Sequence, residues 1–468
     1  MSENKNKNET SLQKKLSPLN VWALAFGCII GWGSFMMPGT TFLPKAGPMG
    51  TVVAMAIGAM IMIVIAFSYG YMVPKYPKAG GEFTFTKEVF GSKNAFVCAW
   101  FLALAYVTNV PMNSTALGLM TRKLFFGVFQ FGKMYSVAGY DIYFGEVALA
   151  IFAMVIIAVL NIYGVKKAGW VQTFMAFTLV TAFLIIAISA LFSPVTDWSN
   201  FKPMWGANPN SSASEIISGI IAIVAVAPWA FVGFDTIPQA SEEFNFSHKK
   251  VNIIMIIAIL FGMVVYSSNT LVTAAASPDW VEFISKHDWA VGAAVEALMG
   301  KTGLVILGFA VTSAILTGML GFLAATSRLL YSMSREGYLP KFFGKVHSKY
   351  GTPVNAIVFC LVFSIIGPWF GRTALGWFVD MSAIGGAIGF GYTTASAFIT
   401  LKKAGELKSR LSLTISTLVG TLFSVLFIIL LLVPSFPGAF SVPSYIMFFI
   451  WILLGLLFYI LKRRQNIR

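Results

Sequence analysis

Charge is what this sequence has least of. Asp, Glu, Lys and Arg make up 11% of its 468 residues, where a soluble chain carries roughly 25%. Only 18 residues are acidic. That deficit excludes an ordinary soluble globular domain. Cysteines number three, too few and odd for a disulfide framework. Cys28, Cys98 and Cys360 lie within or at the edge of apolar runs and read as small packing residues. The three histidines, His248, His287 and His347, fall in expected loops without metal-ligand spacing, so no metal site is expected. There is no HExxH, GxSxG or P-loop pattern, which argues against an enzyme and against an ATP-driven pump. The glycine-rich stretch from Gly385 to Gly391 has no strand before it and reads as close helix packing. No linker or low-complexity tract divides the chain.

What the sequence has is apolar length. It is 57% hydrophobic, with a mean hydropathy of +0.79. About twelve runs are long enough to cross a bilayer at roughly 20 residues each. They lie near 19–43, 48–73, 95–126, 144–162, 168–192, 214–240, 251–275, 302–333, 354–370, 374–400, 411–433 and 443–461. The fold expected is therefore an all-α polytopic membrane protein. A net charge of +15 would suggest nucleic acid in a soluble protein. Here the positive-inside rule explains it better. With both termini in the cytoplasm, 25 of the 33 Lys and Arg fall on the inner side. Residues 1–18 are polar and basic, so no cleavable signal peptide is expected. The organisation expected is a cytoplasmic tail over 1–18, one membrane domain over 19–461 and a second cytoplasmic tail over 462–468.

Two of the spans contain breaks. Gly31-Trp32-Gly33-Ser34 interrupts the first and Gly233-Phe234-Asp235 the sixth. Unwound backbone at membrane depth is tolerated only where protein buries it or it lines a cavity. Paired breaks in corresponding spans point to a substrate site between two repeats. The first repeat would run over about 19–192 and the second over about 214–400. Five spans is an odd number, so the repeats would have opposite orientation. Spans eleven and twelve, about 411–461, would then be peripheral. Asp235 and Asp380 are the acidic residues most clearly placed within spans, where a charge usually faces a cavity or a partner. Asp235 is expected to line or border the cavity.

Four motifs occur in one order. They are Tyr76-Pro77-Lys78-Ala79-Gly80-Gly81-Glu82-Phe83; Asn161-Ile162-Tyr163-Gly164-Val165-Lys166-Lys167 with Gln172; Phe231-Val232-Gly233-Phe234-Asp235 with Glu242-Glu243; and Ser327-Arg328 through Leu339-Pro340 with Gly351-Thr352-Pro353. Together they resemble amino acid permeases of the amino acid–polyamine–organocation superfamily. The resemblance implies a five-plus-five inverted repeat with discontinuous helices one and six, working by alternating access. It implies secondary active transport of amino acids, by symport or exchange, across a plasma membrane; polyamine or other organic amine transport, or a substrate sensor on the same fold, are the alternatives.

By position, the carboxylate side of the substrate site would be Ile29, Trp32, Gly33 and Ser34. The amine side would be Trp229, Phe231 and Val232, with Asp235 beside them and Asn109 on span three facing the cavity. Two departures from the family stand out. Trp32 occupies a place where relatives usually have Ser. No lysine lies over Thr173 to Val180, where several relatives carry one in place of a sodium ion. Sodium, proton or exchange coupling therefore remain open. The partners expected are a small-molecule substrate and the lipid bilayer, with no nucleic acid, no cofactor beyond a coupling ion and no obvious protein partner. The source expected is bacterial.

Overall fold

The computed structural model describes residues 12, 14–124, 127–206 and 208–465. Residues 1–11 and 13 of the first expected tail and 466–468 of the second lie outside them. Among the described residues, nine helices are long and apolar enough to cross a membrane. The first such stretch, Pro18–Lys75, carries two spans. Span one is Pro18–Ile29 and Gly33–Met37, continued by a π-turn over Pro38–Phe42. Span two is Leu43–Lys75. The chain reverses at Gly47, whose φ of 69° requires a residue without a Cβ. A short helix, Glu82–Phe90, follows.

Spans three, four and five are Ser92–Leu124, Phe144–Ile162 and Val165–Phe192. Span six is a chain of short pieces: Ala213–Val224, Ala227–Ala230, and 3-10 turns over Phe234–Thr236 and Pro238–Glu243. Span seven is Val251–Ala275. Span eight belongs to Ala290–Arg335, in which two helices meet at a kink at Gly300. Span nine is Val354–Ser364 with Gly367–Phe370. Spans ten, eleven and twelve are Thr373–Lys403, Leu411–Leu432 and Val442–Gln465.

The packing order explains why the apolar sequence tolerates so many polar residues. Span three is buried over 89% of its most apolar stretch and span ten over 72%, whereas spans eleven and twelve are buried over 33% and 11%. Apolar faces on the outer spans meet lipid, so Asn, Ser and Thr collect on the inner ones, where partners exist. Asn161 of span four, for example, donates to Leu320 O of span eight at 3.3 Å.

A β-hairpin, Lys133–Val137 with Tyr140–Tyr143, caps one end of the bundle. The loops around Lys75–Lys93 and Arg328–Lys349 lie at the other, hereafter the basic end. All three cysteines are buried and unpaired.

Candidate substrate site

The two breaks meet. Span one stops at Ile29, and Ile30 closes its last turn by donating to Phe26 O. The backbone N–H groups of Gly31 and Trp32 then have no acceptor among the described residues. Span six ends its first helix at Val224 because Pro228 and Gly233 prevent a continuous ladder. The carbonyls of Phe231 and Val232 have no donor among the described residues. Gly233, at φ 136°, lies so close to span one that an added Cβ would stand 2.6 Å from Cys28 Cβ and 2.8 Å from Ile29 N. Trp229 reaches back across the gap, and its ring would lie 2.4 Å from a Cβ on Gly33. The Trp32 and Trp229 rings are 6.2 Å apart and tilted by 52°.

Above this pair a cavity of about 710 Å³ opens toward the hairpin end. Trp32 contributes to its lining, along with Met36, Lys45, Arg122, Arg372 and Asp380. Ile29, Gly33, Ser34, Asn109, Trp229, Phe231, Val232 and Asp235 do not line it, and all eight are buried. The expected site is thus assembled but covered. Lined cavity and broken backbone touch only through Trp32.

Asp235 departs from its expected place beside the cavity. It is completely buried. Its Oδ1 accepts from Gly233 N at 2.7 Å and its Oδ2 accepts from the Tyr106 hydroxyl at 3.0 Å. The carboxylate therefore clasps its own break, occupying donors that the unwound backbone leaves over. Asn109 is also engaged, its amide donating to Ala105 O and to Ser382 Oγ. One turn along span three, Asn113 differs. Its Oδ1 is buried with no partner and lies 3.3 Å from where a Cβ on Gly31 would stand. The Trp32 indole N–H is likewise buried and unpartnered. Ser34 accepts at its carbonyl from Asn269 Nδ2 of span seven at 2.6 Å, which fixes the outer half of span one.

Where span five meets span one, the residue of interest is Gln172. Thr178 is half-buried and bonds to its own helix, at Phe174 O. The Gln172 amide donates to Ala23 O of span one and to Thr317 O of span eight, at 3.2 Å each. Thr317 Oγ1 also lies 3.3 Å from Gly27 O. A neutral donor thus bridges the two spans.

The basic end is closed. Arg328 forms a two-pronged ion pair with Glu243, at 2.6 and 2.9 Å, and Arg335 does the same with Glu242, at 2.6 and 3.1 Å. Ser241 Oγ donates to Lys78 O at 2.7 Å, and Ser332 Oγ to Ala79 O at 2.8 Å. Lys15 N and Leu16 N both donate to Glu243 O at 2.9 Å, and Asn245 N donates to Leu16 O at 3.0 Å. The inner half of span six is therefore tied to the chain before span one, to the loop after span two and to span eight.

A multi-pass helical bundle with two interrupted, apposed spans is the architecture of a membrane transporter. The chain belongs to the amino acid permease family, whose sequence model matches residues 16–458. It is similar to the methylthioribose transporter of Bacillus subtilis, at 27% identity over 97% of this chain and 95% of that one. It is also similar to the branched-chain amino acid permease BcaP of the same organism, at 24% identity over 98% and 95%. The glutamate/serine transporter AimA, again of Bacillus subtilis, is 25% identical over 84% of this chain and 72% of its own. The protein is a transporter of this family.

Proposed function

We propose that the protein moves amino acids across a bacterial plasma membrane by alternating access, with the basic end in the cytoplasm. The observation that carries this reading is the complementary set of unpaired groups at the breaks. Two backbone N–H groups at Gly31 and Trp32 face the need for an anion; two carbonyls at Phe231 and Val232 face the need for a cation. A zwitterionic α-amino acid supplies both, and helix ends carry partial charges of the same signs. Asn113 Oδ1 adds an acceptor, next to Gly31, that fits the substrate amine or a polar side chain. The cavity at the hairpin end and the closed basic end together describe an outward-facing state with Trp32 and Trp229 shut over the site. The bias of Lys and Arg toward the basic end supports the orientation.

Coupling follows from the same geometry. The Gln172 amide takes up carbonyl oxygens of spans one and eight that a cation would otherwise need. This favours transport that does not draw on sodium. The test is radiolabelled uptake into proteoliposomes from a panel of neutral, acidic and cationic amino acids and methylthioribose, with sodium and pH gradients imposed separately. Accumulation of an amino acid without sodium supports the reading. Uptake of methylthioribose alone removes the amino acid, and sodium-driven accumulation removes the coupling assignment.

Two substitutions refine the site. Trp32→Ser opens the floor of the cavity onto the breaks, so bulkier amino acids are expected to compete for uptake; an unchanged competition profile refutes this. Asp235→Asn keeps an acceptor for Gly233 N–H and is expected to fold while lowering uptake. Asp235→Ala strands the buried Gly233 N–H at about 1–3 kcal/mol, while the Tyr106 hydroxyl keeps Asp235 O at 2.9 Å; thermal unfolding in detergent measures the loss directly.

A further inference from the structure

Among the described residues, two completely buried acidic side chains have no cation partner. One is Asp235. The other is Glu82, the first residue of the short helix after span two, and the uptake site makes no use of it. Glu82 is completely buried. Its Oε1 accepts from the Tyr69 hydroxyl of span two at 2.8 Å, and its Oε2 accepts from Gln239 Nε2 of span six at 2.5 Å. Gly81 makes this contact possible. It has a φ of 41°, and a Cβ there would stand 2.6 Å from Pro238 Cβ and 3.0 Å from Gln239 Nε2. The carboxyl is thus wedged against the inner half of span six, the segment that the closed basic end holds in place.

Among the described residues, no cation forms an ion pair with Glu82. Asp235 of span six is the charge that reaches it, and Tyr69, Tyr106 and Cys98 feel its own charge in turn. Span ten packs beside the short helix, bringing Thr393 next to Tyr69 and the Tyr392 ring against Phe90. The surroundings have spare hydrogen-bonding capacity. Thr86 Oγ1, Thr393 Oγ1 and Gln239 Oε1 are all buried with no partner. An ionised carboxylate taken out of water without a cation is strongly disfavoured and takes up a proton instead. Burial accordingly pushes the Glu82 carboxyl well above the usual carboxylate range, and the Asp235 charge adds to the shift.

We propose that Glu82 is a proton-binding site of the closed basic end, protonated while Gln239 is docked on it and deprotonated when span six swings away. In the closed state its Oε1 keeps the hydrogen bond from the Tyr69 hydroxyl, and its O–H, on Oε2, donates to Gln239, whose amide turns to present its unpartnered oxygen. On opening, the Gln239 bond breaks and water enters. The O–H bond then breaks, the proton passes to cytoplasmic water, and the carboxylate is left solvated. The closed state has the higher proton affinity, so acid in the cytoplasm stabilises it. The bias is present below the closed-state pKa and fades as pH rises through it. This inference rests on the alternating-access reading above.

The test uses the full chain in proteoliposomes with a reporter, Ala240→Cys, on the buried inner half of span six. Its labelling by a membrane-impermeant maleimide from the basic side is divided by that of the exposed Ser409→Cys, which cancels the pH dependence of thiol reactivity. The chain with only its three buried cysteines sets the background. The normalised rate is expected to fall at least about threefold between pH ~8 and pH ~5.5, and to be flat in Glu82→Gln, which imitates the protonated acid. Tyr69→Phe removes a donor that favours the carboxylate and is expected to move the midpoint to higher pH. A wild-type rate that does not change, or a Glu82→Gln profile that matches wild type, overturns the proposal. A pH-dependent rate in a protein that transports nothing from the panel would instead overturn the transport reading and leave the proton site standing.

Discussion

Arg328→Met is expected to be the most destabilising single change at the basic end. The Arg328 side chain is 9% exposed and that of Glu243 is completely buried. Removing the guanidinium leaves an uncompensated carboxylate, at a cost of about 3–5 kcal/mol. The pair forms across span eight and the inner half of span six, so the loss falls on the closed arrangement specifically. Thermal unfolding in detergent is expected to show the loss, and protease or thiol reagents are expected to reach the basic end more readily. The double variant Arg328→Met/Glu243→Gln removes the stranded charge and is expected to recover more than half of the stability. A double variant no better than the single one would mean that packing of the arginine stem, rather than charge, holds this end shut.

Gly233→Ala is expected to abolish uptake with little loss of protein from the membrane. The φ of 136° is strained for any residue with a Cβ, at about 1–3 kcal/mol. The larger effect is contact: Cys28 Cβ and Ile29 N lie within 3 Å of the new methyl group, and both belong to the span that must stay apposed. The breaks would be forced apart at the point where substrate is bound. Gly337→Ala is the control, since Gly337 also has positive φ, at 75°, but has nothing within 4 Å of an added Cβ. It is expected to transport at near the wild-type rate. Equal losses in both would assign the effect to backbone strain alone.

The spans were legible because lipid imposes a single demand, about 20 apolar residues, which composition alone reports. The breaks were legible because glycines at membrane depth have few other uses. What escaped was geometry that depends on partners. Asn109 and Asn113 are the same residue type one turn apart, and only packing shows that Ser382 occupies one while the other keeps an unpaired oxygen. Asp235 is a rare buried charge, but nothing along the chain tells that Tyr106, 129 positions away, takes one of its oxygens. The Lys133–Tyr143 hairpin left a usable signal, since Ala138-Gly139 supplies two consecutive positive φ angles at its turn. Gln172 lay within a recognised motif, yet its role appears only when spans one and eight converge on it.

The stretch just before span one acts as a strap. Lys15 and Leu16 grip the carbonyl of Glu243, whose side chain is itself held by Arg328. Pulling on this strap therefore means pulling on the same residue that keeps the inner half of span six in place. Bulk or tension added ahead of residue 12 would be delivered mechanically to that point. For anyone preparing the protein, an affinity tag or a fluorescent fusion at the front of the chain is a load on its moving part.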